Sequence, residues 1–286
     1  MSDAATDNPI ARRRAAGAFL RSRRGRLAPS DVGLSQGFRR RTPGLRREEV
    51  AILAGVGTTW YTWLEQGRGI QPSGEVLSAL AEVLRLDPAE RHHLFSLYDR
   101  PTQERRLPGE EHVGEPLRHM VDGLAGQPAL VLGWRWDILA WNRAAELVIG
   151  PDAGLDGGRP NVIDLLFSDP ARRLFVDWET VARGALATFR ADCARHIGDP
   201  DFEAMVARLT RLSPEFAAWW PQHDVAHRLA GKKRLNHGAA GRMHFTFSML
   251  AVGDRPGLKL CVFTAIDEDD TPRKLRKLLE QPHRVA

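Results

Sequence analysis

The sequence predicts a multidomain protein: an all-α domain of five helices over residues 10–100, followed by an α/β domain with an antiparallel sheet over 117–280. Three observations carry that expectation. Apolar residues recur at helical spacing as far as residue 98, interrupted only by glycine and proline clusters. Period-two alternation takes over late in the chain. Between the two, residues 101–116 (PTQERRLPGEEHVGEP) are polar and rich in Pro and Gly, the composition of a linker. A chain of 286 residues has room for two separate cores.

Taken in order, residues 10–24 form the first helix, with Ala15, Ala18 and Phe19 on one side and Arg12, Arg13, Arg21, Arg23 and Arg24 elsewhere. Residues 25–45 hold Gly25, Pro29, Gly33, Gly37, Pro43 and Gly44 and read as a loop. The helical pattern resumes over 46–98, with breaks at 55–57, 67–74 and 87–88. Ser73 and Asp87 are the expected N-caps, the second followed by Pro88 at the first helical position. In the second domain, ALVLGW (129–134) and DILAW (137–141) read as two strands joined by a tight turn, then 142–149 as a helix. One long helix is expected from Asp169 and Pro170, carrying Leu174, Trp178, Val181, Ala185 and Phe189 at spacings of three and four. Further helices are expected over 201–212 and from Ser213 and Pro214. RMHFTFSMLAV (242–252) alternates Met243, Phe245, Phe247 and Met249 against His244, Thr246 and Ser248, a strand pattern. GLKLCVFTAI (257–266) is its expected hairpin partner.

Charge narrows the function. Residues 1–106 hold 18 Arg, no Lys and 12 acids, whereas the remainder holds 23 basic and 24 acidic side chains. Between 11 and 47 there are 12 Arg against Asp31 alone. A basic first third joined to a balanced remainder points to a polyanion-binding module. The two cysteines, Cys193 and Cys261, are far apart and read as small core residues. No run approaches the 18 or so apolar residues of a membrane span, and the polar first ten residues lack a signal-peptide core, so a cytoplasmic protein that does not engage membranes is expected. His223 and His227 are four apart with Asp224 beside the first, but no third ligand is marked. GLDGGRPN (154–161) lacks a phosphate-loop lysine, and no GxSxG occurs. Neither an enzyme nor a metal or cofactor site is expected.

The informative run is RREEVAILAGVGTTWYTWLEQGRG (46–69). Two short helices meet at a tight turn, where Ala51 is small enough for close contact and Gly55 can take a positive φ. Val56, Tyr61 and Leu64 extend one apolar face, leaving Thr58, Thr59, Thr62 and Trp63 to point elsewhere. Hydroxyls and indoles suit a major groove, since Thr can bond a base edge or touch a thymine methyl. Glu48-Glu49-Val50-Ala51, Ala54-Gly55-Val56 and Glu65-Gln66-Gly67 resemble the lambda-repressor/Cro-type helix-turn-helix family. That resemblance implies a double-stranded DNA operator as partner, with Thr58, Thr59, Trp60 and Trp63 facing it; Arg47, Thr62 and Arg68 are further expected contacts. Arg47 stands where the family usually has Gln, which favours a phosphate contact. Trp60 or Trp63 packing against the 25–45 loop stays open, as does minor-groove or phosphate contact by Arg39–Arg41.

RRRTPGLRREEVA, TWYTWLEQGR, LDPAERHHLF, WDILAWNRAA, LLFSDPARRLFVDWE, SPEFAAWWPQHDV and KRLNH together resemble the MmyB-like regulators over about residues 12–280. The resemblance implies a helix-turn-helix domain followed by a PAS-like ligand-binding domain, with a fatty acid or other lipid-like effector. Where that family tends to have His-Pro, this chain has His237-Gly238. Six of eight tryptophans follow residue 130, which fits either an apolar ligand cavity or a filled core. Candidate ligand contacts are Asn142, Arg143, Trp178, His196, Trp220, His223, Arg228 and Phe247. A homodimer on a palindromic or repeated operator is expected, because one motif reads only a half-site. The alternative is a second domain that only dimerises or binds a protein partner.

Overall fold

The computed structural model describes residues 8–34, 44–98, 112–150, 159–194, 197–226, 229–253, 255 and 257–281. Five helices come first, as expected: α1 (Pro9–Arg26), α2 (Arg47–Leu53), α3 (Thr58–Glu65), α4 (Gly74–Val83) and α5 (Pro88–Tyr98). Asn8 caps α1 by accepting from the Ala11 amide at 3.1 Å. Ser73 caps α4, and Asp87 and Glu90 exchange side chain-to-amide bonds at the head of α5. The 25–45 loop contains one short 3₁₀ turn, Pro29–Val32; residues 35–43, and with them Arg39–Arg41, lie outside the described residues.

The chain continues through α6 (Glu115–Gly123), β1 (Ala129–Leu132), β2 (Ile138–Trp141), α7 (Arg143–Ile149), α8 (Val162–Leu166), α9 (Asp169–Leu174) and α10 (Trp178–Cys193). It ends with α11 (Pro200–Leu212), α12 (Pro214–Trp219), a 3₁₀ turn (Trp220–Gln222), β3 (Ala230–His237), β4 (Gly241–Ala251), β5 (Lys259–Ala265) and α13 (Thr271–Leu279). The five strands form one antiparallel sheet in the order β2-β1-β5-β4-β3. A helical N-terminal region followed by an α/β domain with a five-stranded antiparallel sheet is therefore the architecture. Among the described residues, no helix is long and apolar enough to cross a membrane.

Two expectations need correction, and one strand has no counterpart among them. The single helix from Asp169 is two, α9 and α10, because the chain turns extended at Phe175 to bridge Leu235, and the Val176 amide donates to the Arg234 carbonyl at 3.0 Å. Helical periodicity on both sides of the break is real; a tertiary strand contact overrides it. The polar run at 101–116 stops short of its expected end, since α6 begins at Glu115, and residues 101–111 are not described. β3 carries almost no apolar pattern, with only Leu235 buried, and is a sheet edge that alternation could not reveal.

By internal contacts the chain forms two compact units, residues 1–104 with 190–227 and residues 105–189 with 228–286. In sequence, residues 190–227 fall within the expected second domain, 117–280. In the first unit Phe19, Leu20, Val50, Ala51, Tyr61, Leu64, Leu80 and Leu94 are buried in one core, and Ala191, Ala194 and Val225 belong to it too. In the second unit, Ala129, Val131, Ala140 and Leu260 pack with Val121 of α6 on one face of the sheet. Cys193 and Cys261 are both buried and are not joined in a disulfide.

Candidate nucleic-acid interface and effector domain

The turn between α2 and α3 is built by backbone bonds that end the first helix. Gly55 takes φ +68°, its amide donates to Ile52 at 3.2 Å, and the Val56 amide donates to Ala51 at 2.9 Å. Ala51 is fully buried against the neighbouring helix, which explains its size. The same pattern closes α3, with Gly67 at φ +70° donating to Leu64 and Arg68 donating to Trp63.

The inner side of α3 is pinned electrostatically. The Glu65 side chain is fully buried; one oxygen lies 2.6 Å from Arg24 Nε and the other 2.7 Å from Arg47 Nε. Arg21 donates to the Glu65 carbonyl at 3.0 Å, and Arg24 also donates to the Leu45 carbonyl at 2.6 Å. One carboxylate thus ties α1 and α2 to α3. Burial pushes the Glu65 carboxyl up, but the hydrogen bonds and charges of Arg24 and Arg47 outweigh it and hold it below the usual range. Burial raises the adjacent Tyr61 phenol, which stays neutral. Sequence reading missed Glu65 as a structural centre. The available signal was an acid one residue after Leu64 and four after Tyr61, on the apolar stripe.

The outer side of α3 presents Thr59 and Trp63 to solvent, and the Arg68 guanidinium lies 5.4 Å from the Trp63 ring centre. Thr58 and Thr62 are half-buried, and the Thr62 hydroxyl donates to the Thr58 carbonyl at 2.8 Å. Arg47 keeps 39% of its side chain exposed although its Nε is committed to Glu65. Trp60 is likewise half-buried, and its ring packs on the core of this unit. Ile52, 77% exposed on α2, was not singled out in sequence.

Of the eight proposed ligand residues six are described, and they are divided between the two units. Asn142 is buried and saturated: its Oδ1 accepts from Ala145 and Ala129 amides, and its Nδ2 faces the carbonyls of Gln127, Leu124 and Val121 at 2.8–3.2 Å. It caps α7 and locks the strand pair, which leaves nothing for a ligand. Arg143 donates to the Gln281 carbonyl. Trp178 donates from its indole to the Leu166 carbonyl at 2.6 Å beneath the Arg172 guanidinium. Trp220 and His223 belong to the first unit, where Trp220 stacks on Phe216 at 5.4 Å. His196 and Arg228 lie outside the described residues, as does His227. His237 bonds the Leu147 carbonyl and the Ala240 amide, a turn-holding role.

Among the described candidates, Phe247 is half-buried and lies on a sheet face whose other apolar side chains are buried. Register places Phe245, Phe247 and Met249 of β4, Cys261 and Phe263 of β5, and Leu130 of β1 on one face of the sheet, opposite the face covered by α6. Phe263 lies 6.2–6.3 Å from the rings of Phe245 and Phe247. Lys233, paired with Phe245 across β3 and β4, brings its ammonium to 4.5 Å from the Phe247 ring. Sequence reading did not find Lys233, since β3 was not recognised as a strand.

Comparison with known families agrees with these two constructions. Residues 15–94 match a helix-turn-helix domain model, and residues 113–278, more than half of the chain, match the MmyB-like transcription regulator ligand binding domain. No curated protein matches the chain. With a DNA-binding motif pinned through Glu65 and a five-stranded sheet domain behind it, the chain belongs to the MmyB-like family of transcription regulators.

Proposed function

We propose that this regulator reads a specific double-stranded DNA operator with the outer face of α3, and does so as a homodimer whose second unit binds a lipid-like effector. One observation carries the DNA reading. α3 is fixed on its inner side by Tyr61, Leu64 and the doubly paired Glu65, and offers Thr59 and Trp63 on its outer side. A rigid helix with exposed hydroxyl and indole groups, in an Arg-rich unit, has the properties of a groove reader. Arg47 and Arg68 flank that face as phosphate partners, supplying salt-dependent affinity that does not depend on sequence. A single motif reads one half-site, which is the reason for a dimer on a palindromic or repeated operator.

For the effector, the supporting feature is the aromatic and sulfur-bearing sheet face, in which Phe247 is half-buried with Lys233 beside it and the other side chains are buried. Such a face complements an acyl chain, each buried CH₂ being worth about 0.8 kcal/mol, and an ammonium complements a carboxylate. The test is to select operators from random duplexes with the full chain, then compare parent and Thr59→Ala by fluorescence anisotropy across a salt series. Thr59→Ala is expected to lose about 1–3 kcal/mol on the selected duplex and little on random duplex. Equal losses on both, or no selected sequence at all, would remove the reading. Native mass spectrometry with added fatty acids tests the effector, with Lys233→Gln expected to weaken binding.

A further inference from the structure

In sequence, residues 190–227 fall inside the span matched to the ligand-binding domain, yet by contacts they are part of the DNA-reading unit. They hold α1 near both of its ends. Near its start, a Cβ added at Gly198 would stand 2.5 Å from the Cβ of Asn8 and 3.1 Å from that of Ala11, so the 197–199 backbone lies hard against α1. Near its end, the 3₁₀ turn after α12 presents a row of carbonyls to cationic side chains. Arg190 donates to Trp220 and, at 3.4 Å, to Asp224; Arg23 donates to His223; Arg26 donates to Gln222 at 2.7 Å; and the Ser22 hydroxyl donates to Gln222 at 3.2 Å. The Asp224 carboxylate accepts from Arg26 at 2.7 Å. Carbonyls at a helix end are the natural partners of arginine, both as unfilled acceptors and as the negative end of the helix dipole.

The opposite side of α1 carries the reading helix. Arg21 and Arg24 bind Glu65, and a Cβ at Gly17 would stand 2.3 Å from the Glu65 carbonyl oxygen, so there is no slack between α1 and α3. α1 is therefore held between the 190–227 segment and α3, with alternate arginines serving each. We infer that residues 190–227 form a clasp that completes the DNA-reading unit and sets the pose of α1, and through α1 that of α3, so that operator discrimination depends on a segment supplied by the C-terminal half of the chain.

The inference rests on the DNA reading above, and two readouts separate them. Asp224→Ala removes one anchor without touching α3, and Gly198→Ala drives a Cβ into Asn8 at the other end of α1. In the DNA-free protein, each variant is expected to speed hydrogen exchange of α1 and α3 amides by about tenfold while leaving β4 and β5 unchanged. Preference for the selected operator over random duplex should fall by about tenfold in parallel. Unchanged exchange in α1 and α3, with 214–226 loosened, would overturn the clasp, as would an equal rise in β4. If the parent shows no sequence preference, the DNA reading fails, and the exchange pattern still decides whether the clasp holds α3.

Discussion

Two side chains show how partners decide a residue's role. Glu65 is an acid with no solvent, kept charged by two guanidinium groups. Glu65→Gln leaves Arg24 and Arg47 without a counter-charge, and breaking a buried pair this way costs about 3–5 kcal/mol. Urea unfolding should show that loss; a midpoint close to that of the parent would mean the clamp contributes little. Asn142 reads in sequence as a polar group poised near an apolar pocket, yet all its capacity is spent on β1, α7 and the 121–127 segment. Asn142→Ala removes a helix cap and strands buried backbone groups, with an expected cost of about 2–4 kcal/mol. Fatty-acid affinity, measured on the fraction that remains folded, should be unchanged if the role is structural. Nothing in the sequence distinguishes a capping Asn from a ligand-binding one, because the difference lies in which carbonyls surround it.

At the scale of elements, close approach can reverse a propensity. Gly17 lies mid-helix in α1, where replacing Gly by Ala ordinarily stabilises by about 0.5–1 kcal/mol. Here the new methyl would meet the Glu65 carbonyl at 2.3 Å, so Gly17→Ala is expected to be destabilising and to shift α1 from α3. A rise in melting temperature would contradict that contact. Arg85 offers the opposite case. It ends α4 with φ +49°, and its Cβ pays for a left-handed conformation that glycine adopts freely. Arg85→Gly should raise stability by about 0.5–1 kcal/mol on thermal unfolding; a loss would mean the side chain makes contacts that outweigh the strain. The helices α1–α5 and α11 were legible because their apolar spacing and caps are local. The gap between α9 and α10 was not, since it is imposed by Leu235, some sixty residues away in sequence.

For the whole molecule, His93, which is buried, and His223, which is half-buried, make stability depend on pH. Burial, then the nearby Arg190, pushes His93 down to about 3; burial and the charges of Arg190, Arg23 and Arg26 push His223 down to about 4. Both folded values lie below the unfolded value of about 6.5. The stabilisation is therefore complete above pH 6.5 and declines as pH falls toward the folded values. His93 alone should contribute a slope of about 1.4 kcal/mol per pH unit over the upper part of that window. Carboxylates titrate lower, so urea midpoints between pH 6.5 and 5 isolate the histidines, and His93→Leu should flatten the curve. A midpoint independent of pH in that range would contradict the burial of His93.

The sequence by itself determined the helix-turn-helix, its glycine terminators, the hairpin of β4 and β5, and the basic character of the first third. These rest on period, turn chemistry and composition, which act between residues a few positions apart. The edge strand β3, the aromatic sheet face with Lys233, the pairing of Glu65 and the membership of 190–227 in the DNA-reading unit were decided only by tertiary structure. Each depends on contacts between distant segments, such as the Trp220, Gln222 and His223 carbonyls meeting arginines of α1 and α10. A carbonyl is the same in every residue, so no local pattern can announce which arginine will find it.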